Sequence, residues 1–291
     1  MLNIKSFTKF LLLLAILIRP LSCGMAEPSS NWLILIILLL ALGIHFIKRQ
    51  EAFSTPLDLP LFFFGSSLLI SLILSKGRGF EIASQFLACF LVLYLAINCQ
   101  PKEKTIRAVL LFSGILVSLY AIYQKFWGLS ETRAFIEMYQ LGDQFLGRAS
   151  SDRVFSTFMY PNSLAGYLVL ILPLSISKRT WPITLLYLYA LYLSGSRGGF
   201  VSLFLVLFVF LWMKAKRLAY LWSIISLVLF IHFLTPIPGS ATARFSYWMT
   251  SIAIIKEHPL GVGLSEFGNS YIKYKPALAQ ETRNAHNGFC R

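Results

Sequence analysis

The sequence is short of charged residues, which make up only 13% of its 291 positions. Soluble globular domains carry about 25% charged residues, so this chain has too few to cover a surface that faces water. Hydrophobic residues make up 57% of the sequence. This composition excludes a soluble globular protein, a disordered chain and a fibrous repeat.

Acidic residues are the scarcer of the two charged kinds. The chain has 12 Asp and Glu against 26 Lys and Arg, which gives a formal net charge of +14. In a soluble protein such an excess indicates nucleic-acid binding, whereas in a membrane protein it reflects basic cytoplasmic loops. The positions of the basic residues decide between these two interpretations.

Recognisable cofactor and hydrolase motifs are missing as well. The four cysteines, Cys23, Cys89, Cys99 and Cys290, form no CxxC pair and no metal-type spacing with the four histidines. The nucleotide-binding pattern GxxxxGKS/T and the hydrolase patterns GxSxG and HExxH do not occur either. We therefore expect no structural disulfide, no metal site and no cofactor.

The sequence is rich in long apolar runs. A helix that spans a bilayer needs about 20 mostly apolar residues, and nine stretches approach this length. They predict an all-α, polytopic membrane helix bundle with about nine spans. The stretches are residues 7–25, 31–47, 57–75, 82–98, 106–127, 163–177, 181–194, 199–213 and 218–234.

The basic residues gather at one end of these runs. With the N-terminus placed in the cytoplasm, the inner segments carry twelve Lys and Arg, whereas the short outer loops carry only a few. This bias in the short loops follows the positive-inside rule, so the net charge requires no nucleic-acid partner. The inner residues are Lys5, Lys9, Lys48, Arg49, Lys102, Lys104, Arg107, Lys178, Arg179, Lys214, Lys216 and Arg217, and those of the short outer loops are Lys76, Arg78 and Arg197, with Arg19 near the end of the first span.

This orientation divides the chain into four parts and predicts a multi-pass membrane protein with a cytoplasmic N-terminus. N-terminal transmembrane helices occupy residues 1–127, and central transmembrane helices occupy residues 163–234. Residues 128–162 form a first extracytoplasmic, periplasmic loop. Residues 235–291, the longest polar stretch, form a large extracytoplasmic loop in which we expect the catalytic groups.

The first span has an alternative interpretation as a secretory or lipoprotein signal that ends near Cys23. Arg19 and Pro20 interrupt the expected pattern before the cysteine. Cleavage there would leave the rest of the topology unchanged.

Residues 194–199, with the sequence SGSRGG, stand between two apolar runs on the outer side. An arginine at a membrane boundary is costly to desolvate and is often functional. The fork of Arg197 suits phosphate oxygens, and glycines let a backbone approach a bulky polar ligand. The alternative is a short loop whose arginine extends to lipid headgroups.

A second feature lies at the start of the large outer loop. Arg244 and Trp248 are one helical turn apart and can share a face. Residues 245–255 form an amphipathic segment suited to the membrane interface. His258 precedes a proline and so is predicted to end this helix, and a glycine turn follows at residues 261–263. The alternative is an interfacial or re-entrant helix with an ordinary exit.

The third feature is the pair His286 and Asn287 near the end of the chain. A histidine with a pKa near neutrality can act as a general base. The alternative is a solvated loop histidine without a role. A metal site is weakly supported, because neither His258 nor His286 has a carboxylate at a ligand spacing.

The order of these features resembles the O-antigen ligase and polymerase superfamily of bacterial envelope enzymes. SRGG lies at the outer end of a span and is followed by R-x3-W, HPLGVG and HN in one outer loop. Residues 153–162, which end in Tyr160-Pro161-Asn162, resemble the stretch that precedes the central helices of that family. The resemblance covers residues 153–289.

The resemblance implies a membrane glycosyltransferase fold and a role in making lipopolysaccharide or another envelope glycan. A saccharide on undecaprenyl pyrophosphate would be transferred, outside the cytoplasmic membrane, to an acceptor. The acceptor is the lipid A core in ligases, a growing glycan in polymerases and a protein hydroxyl in O-oligosaccharyltransferases. Neither a metal nor a nucleotide is implied.

Residue roles follow from the resemblance as expectations. Arg197 and Arg244 would contact the pyrophosphate, and His286 would accept the proton of the attacking hydroxyl in an inverting displacement. The expected substrate-binding residues are Ser196, Trp248 (against sugar or polyprenyl), His258 (shaping the loop, or a second base), Asn287 (orienting His286) and Asn162.

The sequence departs from the family pattern at its end. Family members continue past the HN motif with a further helix and spans, whereas this sequence stops at Arg291. We therefore expect an incomplete catalytic loop, and a non-catalytic relative is one alternative. A transporter is another, but transporters bury ionisable groups in mid-membrane, and these spans are nearly free of charge.

Overall fold

The computed structural model describes residues 4–22, 28–48, 55–139, 152–158, 160–214, 239–259 and 261–276. Every regular element in these ranges is helical, and no strand occurs among them. This confirms the predicted all-α class.

Eleven α-helices and one π-helical turn make up the described residues. They are α1 Ile4–Ile18, α2 Pro28–Lys48, α3 Asp58–Leu74, α4 Phe80–Cys99, α5 Glu103–Tyr123, the π-turn Gln124–Gly128, α6 Leu129–Met138, α7 Pro161–Ser175, α8 Trp181–Ser194, α9 Arg197–Lys214, α10 Gly239–Glu257 and α11 Phe267–Tyr274.

Eight of the nine predicted spans coincide with α-helices, and the ninth, residues 218–234, lies outside the described residues. In the described part of the chain, two helical stretches are long and apolar enough to cross a membrane by length and composition, Phe80–Cys99 and Glu103–Phe135. Six shorter apolar helices accompany them. Their limited length agrees with the short runs in the sequence.

Prolines and glycines set several helix ends. Pro161 occupies the first turn of α7, where its missing N–H costs no hydrogen bond. Gly195, with φ +56°, ends α8 in the left-handed conformation that glycine adopts readily. The predicted end before His258 is confirmed, because α10 stops at Glu257. One end differs from its prediction. Helix α1 stops at Ile18, short of the predicted residue 25, because Pro20 has no backbone N–H with which to continue the helix.

By its contacts the chain divides into two compact units, Met1–His45 with Val92–Phe233, and Phe46–Leu91 with Leu234–Arg291. In the first unit, α5, α7 and α8 pack against one another. Helix α9 packs on α7, and α1 packs on α5. The central residues of this core are Val117, Ala121, Leu164, Ala165, Leu168, Ile171, Leu172, Tyr187, Ala190 and Leu191.

The three central helices approach closely at Gly114 of α5. A Cβ atom there would overlap the side chains of Ile171 and Tyr187. The Tyr187 hydroxyl donates a 2.6 Å hydrogen bond to the carbonyl of Leu111. Small residues and interhelical hydrogen bonds of this kind hold helices together within membranes.

In the second unit, α3 and α4 form a hairpin, and α10 packs on α11. Phe64 of α3 makes edge contacts with Phe86 and Phe90 of α4, each at 5.5 Å between ring centroids. The turn after α3 contacts the segment before α11. Arg78 forms a 3.1 Å ion pair with Glu266 there, which ties the two segments together.

Candidate functional site

The SRGG segment forms the junction between α8 and α9. Ser196 is 1% exposed and caps α9, because its Oγ accepts a 3.1 Å hydrogen bond from the backbone N–H of Gly199. A serine at this position satisfies a donor that the first helical turn leaves unpaired. Arg197 is the first residue of α9, and its side chain is exposed.

The cap also joins α9 to α7. The hydroxyl of Ser196 donates a 2.8 Å hydrogen bond to Oδ1 of Asn162, which lies in the first turn of α7. Two helix N-termini therefore meet at one place. Each N-terminus carries a partial positive charge and unpaired N–H groups, so their meeting favours an anion.

Arg153 completes this arrangement, although the sequence around it predicts no role for it. Its Nε donates to the carbonyl of Ser194 at 2.9 Å, and its Nη2 donates to Oδ1 of Asn162 at 3.0 Å. A lone basic residue in a loop of mixed charge has no local motif. The one sequence signal for a role of Arg153 was its position shortly before the first central helix. We call Arg153, Asn162, Ser196 and Arg197 the arginine site.

The arginine site holds two like charges. Burial, and to a lesser extent the charge of Arg197, lower the pKa of Arg153 below its ordinary value. Within the described residues, neither Arg153 nor Arg197 forms an ion pair with a carboxylate. An anion bound between them would relieve the repulsion and accept charge-assisted hydrogen bonds.

The two adjacent glycines of the motif have different surroundings. A Cβ atom on Gly199 would lie 2.6 Å from the Cβ of Ala165 in α7 and 3.2 Å from Cδ1 of Leu191. A Cβ atom on Gly198 would meet nothing within 4 Å. Gly199 is therefore required by helix packing, whereas the open space at Gly198 is free for a ligand.

We expect Gly199→Ala to destabilise the protein by about 1–3 kcal/mol, because the added methyl group overpacks the crossing of α9 and α7. Gly198→Ala is the matched control and should be neutral or slightly stabilising, since alanine favours the helix. Thermal unfolding of the two purified variants in detergent measures the difference. Equal midpoints would contradict the close crossing.

Helix α10 of the second unit carries the predicted Arg244 and Trp248. Arg244 belongs to this helix, but its side chain lies outside the described part of the chain. Trp248 is 42% exposed, so its ring is accessible to a ligand or to lipid. One face of α10 is buried, and the opposite face exposes the large apolar residues Phe245, Trp248, Met249, Ile252 and Ile255.

His258 follows α10 directly and is exposed. Its Nε2 lies 3.5 Å from the hydroxyl of Tyr274, which donates a 2.5 Å hydrogen bond to Glu257. The hydrogen bond to Glu257 raises the pKa of Tyr274. Gly261 and Gly263 then adopt φ values of +85° and +96°, as a glycine turn requires.

The predicted pair His286 and Asn287 lies outside the described residues. Its assignment as base and orienting group therefore stays a prediction. Among the residues that the structure describes, no group of three or more His, Cys, Asp or Glu side chains is placed to hold a metal ion.

The described part of the chain defines a helical protein of apolar character with two arginines at the junction between helices α7, α8 and α9. Residues 182–291 match the O-antigen ligase family, and this region contains α8, α9, α10 and α11. The predicted resemblance is thereby confirmed. This similarity covers the C-terminal part of the chain, and it supports a bacterial membrane protein with a general role in glycan transfer.

An uncharacterised protein of Haemophilus influenzae is 26% identical, over 85% of this chain and 70% of the relative. No solved structure matches the chain.

Proposed function

We propose that the protein is a ligase that works at the outer face of the cytoplasmic membrane. It would transfer a glycan from undecaprenyl pyrophosphate to a hydroxyl group of the acceptor, the lipid A core. The arginine site is the observation that carries this proposal. It combines Arg153, Arg197 and two helix N-termini around one point, which suits a diphosphate.

The donor diphosphate would be bound by several cations. Arg197 stands on the first turn of α9, and hydrogen bonds to α7 and α8 hold the guanidinium of Arg153. The resemblance predicts a further contact to the diphosphate from Arg244, whose side chain lies outside the described residues. Fixed cations that face a growing negative charge stabilise the transition state without reorganisation. The leaving diphosphate is where that charge grows.

The reaction is a single displacement at the anomeric carbon. The acceptor oxygen forms the new glycosidic bond, the bond from the anomeric carbon to the diphosphate breaks, and undecaprenyl pyrophosphate leaves. The hydroxyl proton passes to His286, oriented by Asn287. Trp248 would pack against the sugar or the polyprenyl chain. One displacement inverts the anomeric configuration.

Polar contacts within the first unit support the proposed sidedness. Nε of Arg107 donates to the carbonyl of Leu174 at 2.9 Å, and both residues lie near the predicted inner ends of their spans, 106–127 and 163–177. Oγ1 of Thr157, in the predicted outer loop, donates to the carbonyl of Pro20 at 2.5 Å, which lies towards the predicted outer end of span 7–25. Arg153 and its partners also fall on the predicted outer side.

Cells that lack the gene should accumulate long glycan chains on undecaprenyl pyrophosphate and should have unmodified lipid A core, because the transfer step is missing. The measurement is a glycan profile of the lipid-linked and lipopolysaccharide fractions. Restoration by the wild-type gene, and not by an Arg197→Ala gene, is the control.

Other profiles would change the assignment. Single repeat units on the lipid would identify a repeat-unit polymerase, and loss of protein glycosylation would identify an O-oligosaccharyltransferase. An unchanged profile would contradict glycan transfer and favour a non-catalytic relative or a transporter.

A further inference from the structure

The π-turn between α5 and α6 presents one buried polar side chain. Gln124, its first residue, is 3% exposed, whereas Phe126 and Trp127 in the same turn are each 60% exposed. A π-turn inserts an extra residue into a helix, costs hydrogen-bond geometry, and occurs frequently at functional sites. Here it directs Gln124 towards the segment that carries Arg153.

Gln124 holds that segment by two hydrogen bonds to one atom. Its Oε1 accepts from the backbone N–H of Phe155 at 2.8 Å and from that of Ser156 at 2.7 Å. An amide oxygen has two lone pairs, so its accepting capacity is fully used. Phe155 and Ser156 follow Arg153 by two and three residues, so Gln124 fixes the backbone on which the guanidinium stands.

The backbone at this point needs such support. Ser156 is 4% exposed and has φ +52°, a left-handed conformation that costs a non-glycine residue free energy and persists only where its surroundings enforce it. Besides the bond to Gln124, the Ser156 hydroxyl donates to the carbonyl of Val117 at 2.7 Å. Helix α5 and the π-turn together therefore hold the strained residue.

The same helical region also holds the residue before Arg153. Nζ of Lys125, in the π-turn, donates to the carbonyl of Asp152 at 3.0 Å, and Nη2 of Arg133, in α6, lies 2.6 Å from Oδ1 of Asp152. The backbone before Arg153 and the backbone after it are thus both attached to one continuous helical region. The Lys125 and Arg133 contacts are exposed, whereas the bond from Gln124 to Ser156 is buried.

We propose that Gln124 is a positioning residue that places the guanidinium of Arg153 for the donor diphosphate. This proposal depends on the proposed function in one respect: it assumes that the arginine site binds this diphosphate. Guanidinium–phosphate bonds are directional, and a displacement of about 1 Å in a positioning group costs binding or rate. Loss of the two hydrogen bonds would let residues 155 and 156 move, and Arg153 with them.

Gln124→Met and Gln124→Glu separate positioning from packing. Methionine fills a similar volume but accepts no such hydrogen bonds, whereas glutamate keeps two oxygens within reach of both N–H groups. The purified full chain is assayed for binding of geranylgeranyl pyrophosphate in detergent, per mole of folded protein, and for KM and kcat with the lipid-linked donor.

For Gln124→Met we expect the Kd of the probe to rise about tenfold and the donor kcat/KM to fall by at least as much, because the displaced guanidinium would both bind the diphosphate and face its growing charge. For Gln124→Glu we expect values within about threefold of the wild type. Tyr187→Phe is the control, because it removes a buried hydrogen bond to Leu111 that is not connected to Arg153. It should lower the unfolding temperature and leave the probe Kd unchanged.

The inference is overturned if Gln124→Met lowers only yield or unfolding temperature, as a structural role predicts, or if glutamate impairs binding as much as methionine does. A wild-type protein that binds no probe overturns the proposed function, and the inference with it. Wild-type binding that Gln124→Met leaves unchanged overturns the inference alone.

Discussion

Replacement of Arg197 by alanine is expected to lower the kcat of glycan transfer by about 10²–10³, the loss found when one preorganised donor to a developing anion is removed. Arg197 is exposed at the start of α9, and no carboxylate of the described residues pairs with it. Its side chain therefore contributes little to the fold. The loss should appear as activity and not as unfolding.

The measurement is transfer of glycan from a lipid-linked donor in membranes that contain equal amounts of each variant. Arg197→Lys should recover only part of the rate, because an ammonium keeps the charge but lacks the bidentate fork. Arg179→Ala is the matched control, since Arg179 is also an exposed arginine before an apolar helix but belongs to a predicted inner loop. Full transfer by Arg197→Ala would remove the basis of the proposed site.

Gly263→Ala is expected to have the largest effect on stability, about 2–6 kcal/mol. Gly263 has φ +96°, and a Cβ atom there would lie 2.9 Å from the backbone nitrogen of Ser75 and 3.1 Å from its Cβ. Strained backbone costs about 1–3 kcal/mol, and overpacking adds about 1–3 kcal/mol. Because the nearest atom belongs to the backbone, a change of side-chain rotamer does not relieve the contact.

Gly261→Ala separates these two contributions. Gly261 has φ +85°, and a Cβ atom on it would meet nothing within 4 Å, so the substitution should cost only the backbone strain. Chemical unfolding of both variants in detergent measures the difference. Equal losses of stability would show that the turn does not press against the end of α3.

The positions of most helices were predictable, because each of these helices corresponds to one continuous apolar run in the sequence. Most of the π-turn fell within the predicted span 106–127, but its π geometry was not predicted, and α6 was missed because residues 129–138 lack the apolar pattern that marked the other helices. Gln124 gives no signal of its own. Its partners Phe155 and Ser156 lie 31 and 32 positions away, and only tertiary structure brings them together.

The arginine site was predicted in part. Ser196, Arg197 and Asn162 were candidates, and the structure brings them together. Ser196 and Asn162 make their described hydrogen bonds within the protein, so they frame the arginines, and their contact with substrate stays a prediction. Arg153 was missed because its importance arises from hydrogen bonds to two helices and from the nearby charge of Arg197, and not from its neighbours in sequence.

The three glycines of residues 194–199, SGSRGG, were interpreted together as a means of ligand approach. The structure separates them by what surrounds each one: Gly195 terminates α8, Gly199 allows α9 to cross α7, and Gly198 alone of the three faces open space. A sequence pattern gives the same weight to each glycine. The distinction comes from the neighbouring helices.

Arg153 has five N–H groups, and within the described residues two of them serve the protein, at Ser194 and Asn162. Three are left for the proposed anion, so the side chain that ties α7 to α8 would also receive the diphosphate. A diphosphate that moves this planar guanidinium would pull on both helices through the hydrogen bonds at Ser194 and Asn162. Under the proposed function, occupancy of the site would thereby be linked mechanically to the spacing of the two helices.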